Sequence, residues 1–186
     1  MPKRTDQEIQ TVVEQWLEKA VIGLELCPFA RTVWRQGKIR FALSDAVTDD
    51  GLLQDLYDEC VFLENHSDIE TTLLILPTHL TEFSDFNDFL SLAEALLVEF
   101  DWQGIFQIAS FHPQYQFANT APDDRENYSN RSPYPILHLL RESSLERAVA
   151  SHPAPASIPE NNIARLDSLD DMSFKRIFGV DPSVED

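Results

Sequence analysis

The chain has 186 residues, of which 43% are hydrophobic, and this is enough for one domain with a buried core. Its formal net charge of −18 argues against non-specific binding to nucleic acid or to anionic membranes, because both surfaces would repel it. No apolar run approaches the ~20 residues of a membrane span, and the first residues do not resemble a signal peptide. We therefore expect a cytoplasmic protein that binds neither nucleic acid nor membrane.

The first predicted helix begins near the amino end and ends before Pro28. Thr5 and Glu8 form a capping-box pattern, in which each side chain can satisfy a free backbone N–H at the helix start. Apolar side chains then recur with helical spacing for about five turns. Pro28 disfavours helical geometry at Cys27, so we expect the helix to end there.

Strands and helices alternate over the next part of the chain. This alternation predicts an α/β protein, a small three-layer sandwich whose three-stranded sheet is parallel or mixed, with α+β as the alternative class. Alternating or continuous apolar runs mark the strands, and helical spacing marks the helices. The predicted elements are a strand over 39–43, a helix over 49–61, a strand over 71–76, a helix over 84–99 and a strand over 104–111.

A polar stretch without periodicity, residues 112–133, follows the third predicted strand. Loops longer than ~12–15 residues in a compact domain tend to be functional or disordered. Tyr115 and Tyr128 lie within this one, and aromatic residues usually pack, so we expect an ordered, functional loop.

A fourth helix is predicted from near Tyr134 to near residue 150. On such a helix Tyr134, His138 and Arg141 would share a face, at positions i, i+4 and i+7. We assign residues 1–150 to a single α/β domain and residues 151–186 to an acidic helical arm docked on it.

Basic residues concentrate in two segments of this acidic chain. Residues 27–41 contain four basic side chains and no acid, and residues 111–141 contain three arginines against three acids. The guanidinium fork suits carboxylates and phosphates, so these segments favour a site for a small anion. The alternative is that the arginines pair with the surplus acids of the chain itself.

Two histidines and one cysteine are candidates for chemistry. His112 follows the third predicted strand, and ligands of open α/β folds bind at the carboxyl ends of strands. His79 follows the second strand, but a hydrogen-bonded structural histidine is the simpler interpretation there. Basic neighbours of Cys27 would lower its pKa and favour a thiolate, although a buried structural cysteine is the commoner case. The predicted catalytic residues are Cys27, His112 and His138, and the predicted ligand-binding residues are Arg31, Tyr115, Asn130, Arg131, Tyr134 and Arg141.

Three short motifs resemble a bacterial family called domain of unknown function 1415. They are LCPFA at residues 26–30, FHPxYxF at residues 111–117 and NRSPYP at residues 130–135. The resemblance covers residues 7 to 150 and leaves the acidic tail outside. It implies a single-domain bacterial protein and supplies no activity, cofactor or catalytic residue.

Three functions are compatible with these observations. The first is an enzyme or binding protein for a small anionic ligand, in which a histidine is the acid or base and arginines hold the anion. The second is a protein-interaction or regulatory module without chemistry. The third is a metal or haem protein. The sequence has five glycines and contains neither a phosphate-binding loop nor a dinucleotide-binding glycine motif. It therefore does not identify a cofactor.

Overall fold

The computed structural model describes residues 4–179, whose centre is a four-stranded mixed sheet in the order β1-β2-β4-β3. β1 and β2 are parallel, whereas β4 lies between β2 and β3 and runs antiparallel to both. The mixed α/β class is therefore confirmed, and the sheet has four strands where three were expected. The strands are β1 (Ile39–Leu43), β2 (Thr71–Ile75), β3 (Phe106–Phe111) and β4 (Ile136–Arg141).

Seven helices surround the sheet within residues 4–179, and the predicted capping box at Thr5 is present. The first helix continues without a break into a π-helical segment, Leu17–Ile22, and short 3-10 segments lie at Arg125–Ser129 and Pro155–Ser157. No helix in this range is both long and apolar enough to cross a membrane. The α-helices are α1 (Asp6–Trp16), α2 (Ala30–Arg35), α3 (Asp49–Asn65), α4 (Phe83–Glu99), α5 (Glu142–Ser151), α6 (Ile158–Asp167) and α7 (Asp171–Phe178).

The sheet has a hydrophobic core on each face, which produces three layers. One core joins α3 and α4 to side chains such as Leu74 and Leu137. The other joins α1 and its π-helical segment to Leu73, Ile75 and Ile136. All five residues of β2 are buried, as expected of an apolar strand covered on both faces.

The prediction of a helix beginning near Tyr134 is wrong. Residues 136–141 form β4, the second central strand, and a helix begins only at Glu142. A short apolar run buried on both faces cannot be distinguished from a buried helix by periodicity alone. His138 and Arg141 consequently point to opposite faces of the sheet, and the stripe expected from helical spacing does not form.

The described part of the predicted arm packs against the long loop and the end of the π-helical segment. The Arg125 guanidinium donates hydrogen bonds to the backbone oxygens of Leu166 and Leu169. The Asn162 side-chain amide donates to the backbone oxygen of Leu26, at 2.9 Å. Leu166 is fully buried. The division of the chain at residue 150 stays a prediction.

Candidate functional site

A cavity of about 240 Å³ lies between α1, α2, α5 and the sheet face that packs on α1. We call it the sheet cavity. Two segments predicted to form a site, 27–41 and 111–141, both contribute to its walls. Cys27, His138 and Arg141 are among its lining residues. The remaining lining is mostly apolar and includes Leu17, Val21, Phe29, Val33, Leu73, Phe111, Leu140 and Leu145.

The π-helical segment shapes the α1 side of this cavity. Leu17 and Val21, from this segment, line the cavity, and Ile22 ends the segment. A Cβ placed on Gly23 would lie 2.3 Å from the backbone oxygen of Lys19, closer than any real contact. The wider turn thus brings the backbone so close to residue 23 that only glycine fits there. π-helical turns occur frequently at functional sites.

His138 is the central polar group of the sheet cavity, and its tautomer follows from its neighbours. It lies on β4 opposite Leu73, and its Nε2 is 2.7 Å from the hydroxyl oxygen of Thr71. The Thr71 hydroxyl donates its single proton to the backbone oxygen of Leu139. Nε2 of His138 must therefore be the donor to Thr71, which leaves Nδ1 unprotonated in the neutral ring.

Nδ1 of His138 is an acceptor without a partner. It makes no hydrogen bond within residues 4–179. In that range, Thr72 Oγ1 is the single side-chain polar atom that is both fully buried and without a partner. Nδ1 of His138, which has no partner, is therefore not fully buried. Protein surrounds the imidazole, yet part of the ring stays open to the cavity. Burial lowers the pKa of His138 to about 4, so the ring is neutral near pH 7. The sheet cavity therefore offers the free lone pair of His138 within walls that are mostly apolar and also include Glu70 and Ser144.

Cys27 lies between the sheet cavity and a polar cleft of about 220 Å³ that Arg31 and Arg165 line. Burial raises the pKa of the Cys27 thiol, and hydrogen bonds from the N–H groups of Phe29 and Ala30 oppose this effect more weakly. The direction is opposite to the lowering expected from basic neighbours. The basic residues that follow Cys27 are not among the causes of the shift; desolvation dominates, so the thiol stays protonated near pH 7.

Arg31, which was expected to hold a ligand, is engaged with the end of the first helix. Its guanidinium donates to the backbone oxygen of Ile22 at 3.0 Å and lies 3.8 Å from a carboxylate oxygen of Glu25. It lines the polar cleft and not the sheet cavity.

His112 is fully buried and does not line the sheet cavity. Its Nε2 donates to the backbone oxygen of Leu80 at 3.2 Å, and its Nδ1 accepts from the backbone N–H of Gln114 at 3.0 Å. The ring packs against Phe83 and Phe86. Burial is the main cause of its lowered pKa. Both ring nitrogens are occupied, so in this conformation His112 joins the long loop to α4.

Arg131 braces the long loop. Its Nε donates to the backbone oxygen of Tyr115 at 3.1 Å, its Nη2 donates to that of Pro122 at 2.6 Å, and the guanidinium stacks 4.4 Å from the centre of the Tyr128 ring. Asn130 donates from its amide to the backbone oxygen of Ser110. These contacts hold the loop in one conformation, away from the sheet cavity.

Arg141 and Tyr134 also have structural partners. Arg141 donates to the backbone oxygens of Leu63, His66 and Ile69, which secures the end of α3, while the residue still reaches the cavity wall. The Tyr134 hydroxyl accepts a hydrogen bond from Arg4 at 2.9 Å. The predicted ligand-binding residues are therefore dispersed, and Arg141 alone among them lines the sheet cavity.

Thr71 is one of three polar lining residues of this cavity, with Glu70 and Ser144, that the sequence did not point to. It lies in a run of strand residues that read as pure core, and its hydroxyl fixes the orientation of His138. The signal available in the sequence was a threonine opening a buried strand, which is ambiguous because threonine is common in strands. Within residues 4–179, no group of three or more His, Cys, Asp and Glu side chains is close enough to hold a metal ion.

Comparison with known proteins identifies a family and no activity. Neither the curated proteins nor the solved structures contain a significant match to the chain. One family model, described as protein of unknown function (DUF1415), matches residues 8–176. The match extends through α6 and most of α7, beyond residue 150, where the sequence motifs placed its end. The chain belongs to this family of proteins of unknown function, DUF1415.

Proposed function

We propose that this protein binds a small, mostly apolar molecule in the sheet cavity, and that His138 Nδ1 accepts a hydrogen bond from it. The observation that carries this proposal is the unpartnered imidazole nitrogen in a cavity whose walls are mostly apolar. A ligand that fills the cavity takes this nitrogen out of water, and a desolvated acceptor without a partner costs roughly 1–3 kcal/mol. A ligand that supplies one donor therefore gains both apolar contact and this hydrogen bond.

The size of the cavity limits the ligand. A volume of about 240 Å³ is below the range of about 300–1,000 Å³ typical of drug-sized ligands. The best fit is a compact body with a single hydroxyl or N–H group, such as a phenol or a short alcohol.

The small anionic ligand expected from the sequence is less well supported in this cavity. An ion without a paired charge is costly to bury, and His138 is neutral near pH 7. Arg141 is the one cation of the lining, but its guanidinium points to the opposite sheet face and donates to backbone oxygens at the end of α3. Glu70, which also lines the cavity, would repel an anion.

We propose binding and not acid–base catalysis at His138. A base works best with a pKa near the working pH, and burial holds the pKa of His138 at about 4. A general base with this pKa removes protons inefficiently near pH 7. The ring is better suited to orient a ligand than to deprotonate it.

Calorimetric titration with phenol, anisole and benzoate tests the proposal. Phenol and anisole have similar bodies, but only phenol donates a hydrogen bond. We expect phenol to bind about tenfold more tightly than anisole, since a lost hydrogen bond to a buried acceptor is worth about 1–3 kcal/mol. In His138→Leu this preference should disappear. Benzoate binding tighter than phenol would favour the anionic alternative.

A pair of variants on α5 shows whether binding occurs in the sheet cavity. Ala148 lines the cavity and Ala150 is exposed on the same helix. Ala148→Leu should abolish phenol binding by filling the space, and Ala150→Leu should leave it unchanged. Equal binding of phenol and anisole, or phenol binding that survives Ala148→Leu, would contradict the proposal.

A further inference from the structure

A second cleft, of about 420 Å³, lies between α1, residues 131–133 and α7. We call it the basic cleft. Trp16 lines both this cleft and the sheet cavity, and its indole N–H donates to the backbone oxygen of Arg131 at 2.8 Å. The volume is within the range of about 300–1,000 Å³ found for small-molecule sites. Nothing in the proposed function uses this cleft.

The charge of the basic cleft is opposite to that of the protein. Among residues 4–179, its lining contains Lys19, Arg131 and Arg176 and no acidic residue, whereas the chain as a whole has a net charge of −18. Three positive side chains around one concave surface attract anions, and low-dielectric walls strengthen the attraction. Acidic side chains outnumber basic ones by 32 to 14 in this chain, so an ordinary surface patch of the same size would be expected to include carboxylates.

The donors of the basic cleft are available. Arg131 donates to two backbone oxygens and stacks on Tyr128, so the orientation of its guanidinium is fixed before a ligand binds. Its Nη1 makes no hydrogen bond within residues 4–179. Lys19 is exposed and has no hydrogen bond or ion pair in the same range. Within the described part of the chain, Arg176 makes one long hydrogen bond, of 3.4 Å, to Ser173 Oγ. A fixed guanidinium loses little entropy when it binds a carboxylate or phosphate.

Apolar groups complete the cleft. Trp16, Pro133 and Ile177 lie among its lining residues, so a ligand with an apolar or aromatic body would bury surface as well as charge. We propose that the basic cleft binds a small organic anion, whose carboxylate or phosphate group contacts Lys19, Arg131 and Arg176 and whose apolar body lies against Trp16.

Calorimetric titration of the full chain with phenyl phosphate, benzoate and inorganic phosphate tests this site. We expect saturable binding of at least one of the two aromatic anions, weakened at least about tenfold in Lys19→Gln/Arg176→Gln by the loss of two charge-assisted contacts. The control is Arg35→Gln/Lys38→Gln, which removes the same charge from residues outside the cleft and should leave affinity unchanged. Ala148→Leu, which fills the sheet cavity, should also leave it unchanged.

Three results would overturn the proposal, and a fourth would contradict the part of it that concerns Trp16. The first is no saturable binding of either aromatic anion. The second is an equal loss of affinity in the two double variants, which would indicate a general effect of net charge. The third is loss of binding in Ala148→Leu, which would assign the anion to the sheet cavity. Inorganic phosphate binding as tightly as phenyl phosphate would contradict the apolar contact with Trp16.

Discussion

At the residue scale, two histidines that looked alike in the sequence have different roles. His112 uses both ring nitrogens in hydrogen bonds, whereas His138 uses one and leaves the other open to a cavity. Burial lowers the pKa of each ring. What distinguishes them is the number of polar groups that reach the ring: two backbone groups of loops reach His112, whereas only the Thr71 hydroxyl of the neighbouring strand reaches His138 within residues 4–179.

The lowered pKa of His138 predicts how stability depends on pH. A histidine is ordinarily near pKa 6.5 in the unfolded chain, so between pH 6.5 and about 4 the unfolded state binds more protons. The stabilising contribution of the neutral ring is complete above pH 6.5 and is lost as the pH falls toward 4. We expect His138→Leu to lose less stability than the native protein between pH 7 and pH 4.5, by about 2 kcal/mol. Urea unfolding at the two pH values measures this difference, and parallel losses would contradict it.

Asn127 predicts a second effect at this scale, on the long loop. The side chain is fully buried; its Oδ1 accepts from the N–H of Phe117 and the hydroxyl of Thr120, and its Nδ2 donates to the backbone oxygen of Ala121. Asn127→Ala leaves the Phe117 N–H and the Ala121 carbonyl without this partner, whereas the Thr120 hydroxyl can still donate to the backbone oxygen of Phe117. We expect a loss of roughly 2–4 kcal/mol in the free energy of unfolding. Asn130→Ala, which removes a half-buried amide, should cost less. Equal losses of stability in the two variants would show that the hydrogen bonds of Asn127 stabilise the fold no more than that of Asn130.

At the element scale, sequence patterns predict an element when its residues alternate between one buried and one wet face. The capping box and apolar stripe of α1, and the helix predicted over residues 84–99, are of this kind and are present. β4 was missed because it is central and mostly apolar on both faces, so its six residues have no clear period. β2 is also buried on both faces, but it opens on two β-branched threonines, whereas leucine predominates in β4. The same error explains the site: the sequence predicts His138 on a helical stripe that does not exist, and it predicts a strand but no functional role for its partner Thr71.

The π-helical segment predicts an effect at the element scale. Because a Cβ at residue 23 would lie 2.3 Å from the backbone oxygen of Lys19, Gly23→Ala must distort or abolish the wide turn. We expect a loss of about 1–3 kcal/mol, the size of a typical overpacking or strain effect. The control is Gly51→Ala in α3, where the nearest atom to a new Cβ is a side-chain oxygen at 3.3 Å and the better helix propensity of alanine offsets the contact. Thermal unfolding measures the stability of the two variants. If Gly23→Ala loses no more stability than Gly51→Ala, the proposed clash with the backbone oxygen of Lys19 is contradicted.

At the scale of the whole molecule, the chain segments that surround the two sites are tied together by arginines that bind backbone oxygens. Arg125 joins the long loop to α6 and α7, Arg131 closes the long loop on itself, and Arg141 secures α3. Arg125 also forms an ion pair of 2.6 Å with Asp171. Most of these cations therefore satisfy helix ends and loop carbonyls, which leaves the surplus of acidic charge on the surface unbalanced.

This unbalanced charge predicts the response of the molecule to salt. With a net charge of −18, self-repulsion disfavours the compact state, and salt that screens it should stabilise the fold. The ion pairs of the described residues are mostly exposed and contribute little, so their screening should not reverse the effect. We expect Tm to rise between about 0.01 M and about 0.2 M NaCl, where the Debye length falls from about 30 Å to below 10 Å. Sodium chloride is preferred to phosphate, because phosphate would also occupy the basic cleft. A Tm that falls over this range would show that attractive pairs, and not repulsion, dominate the surface.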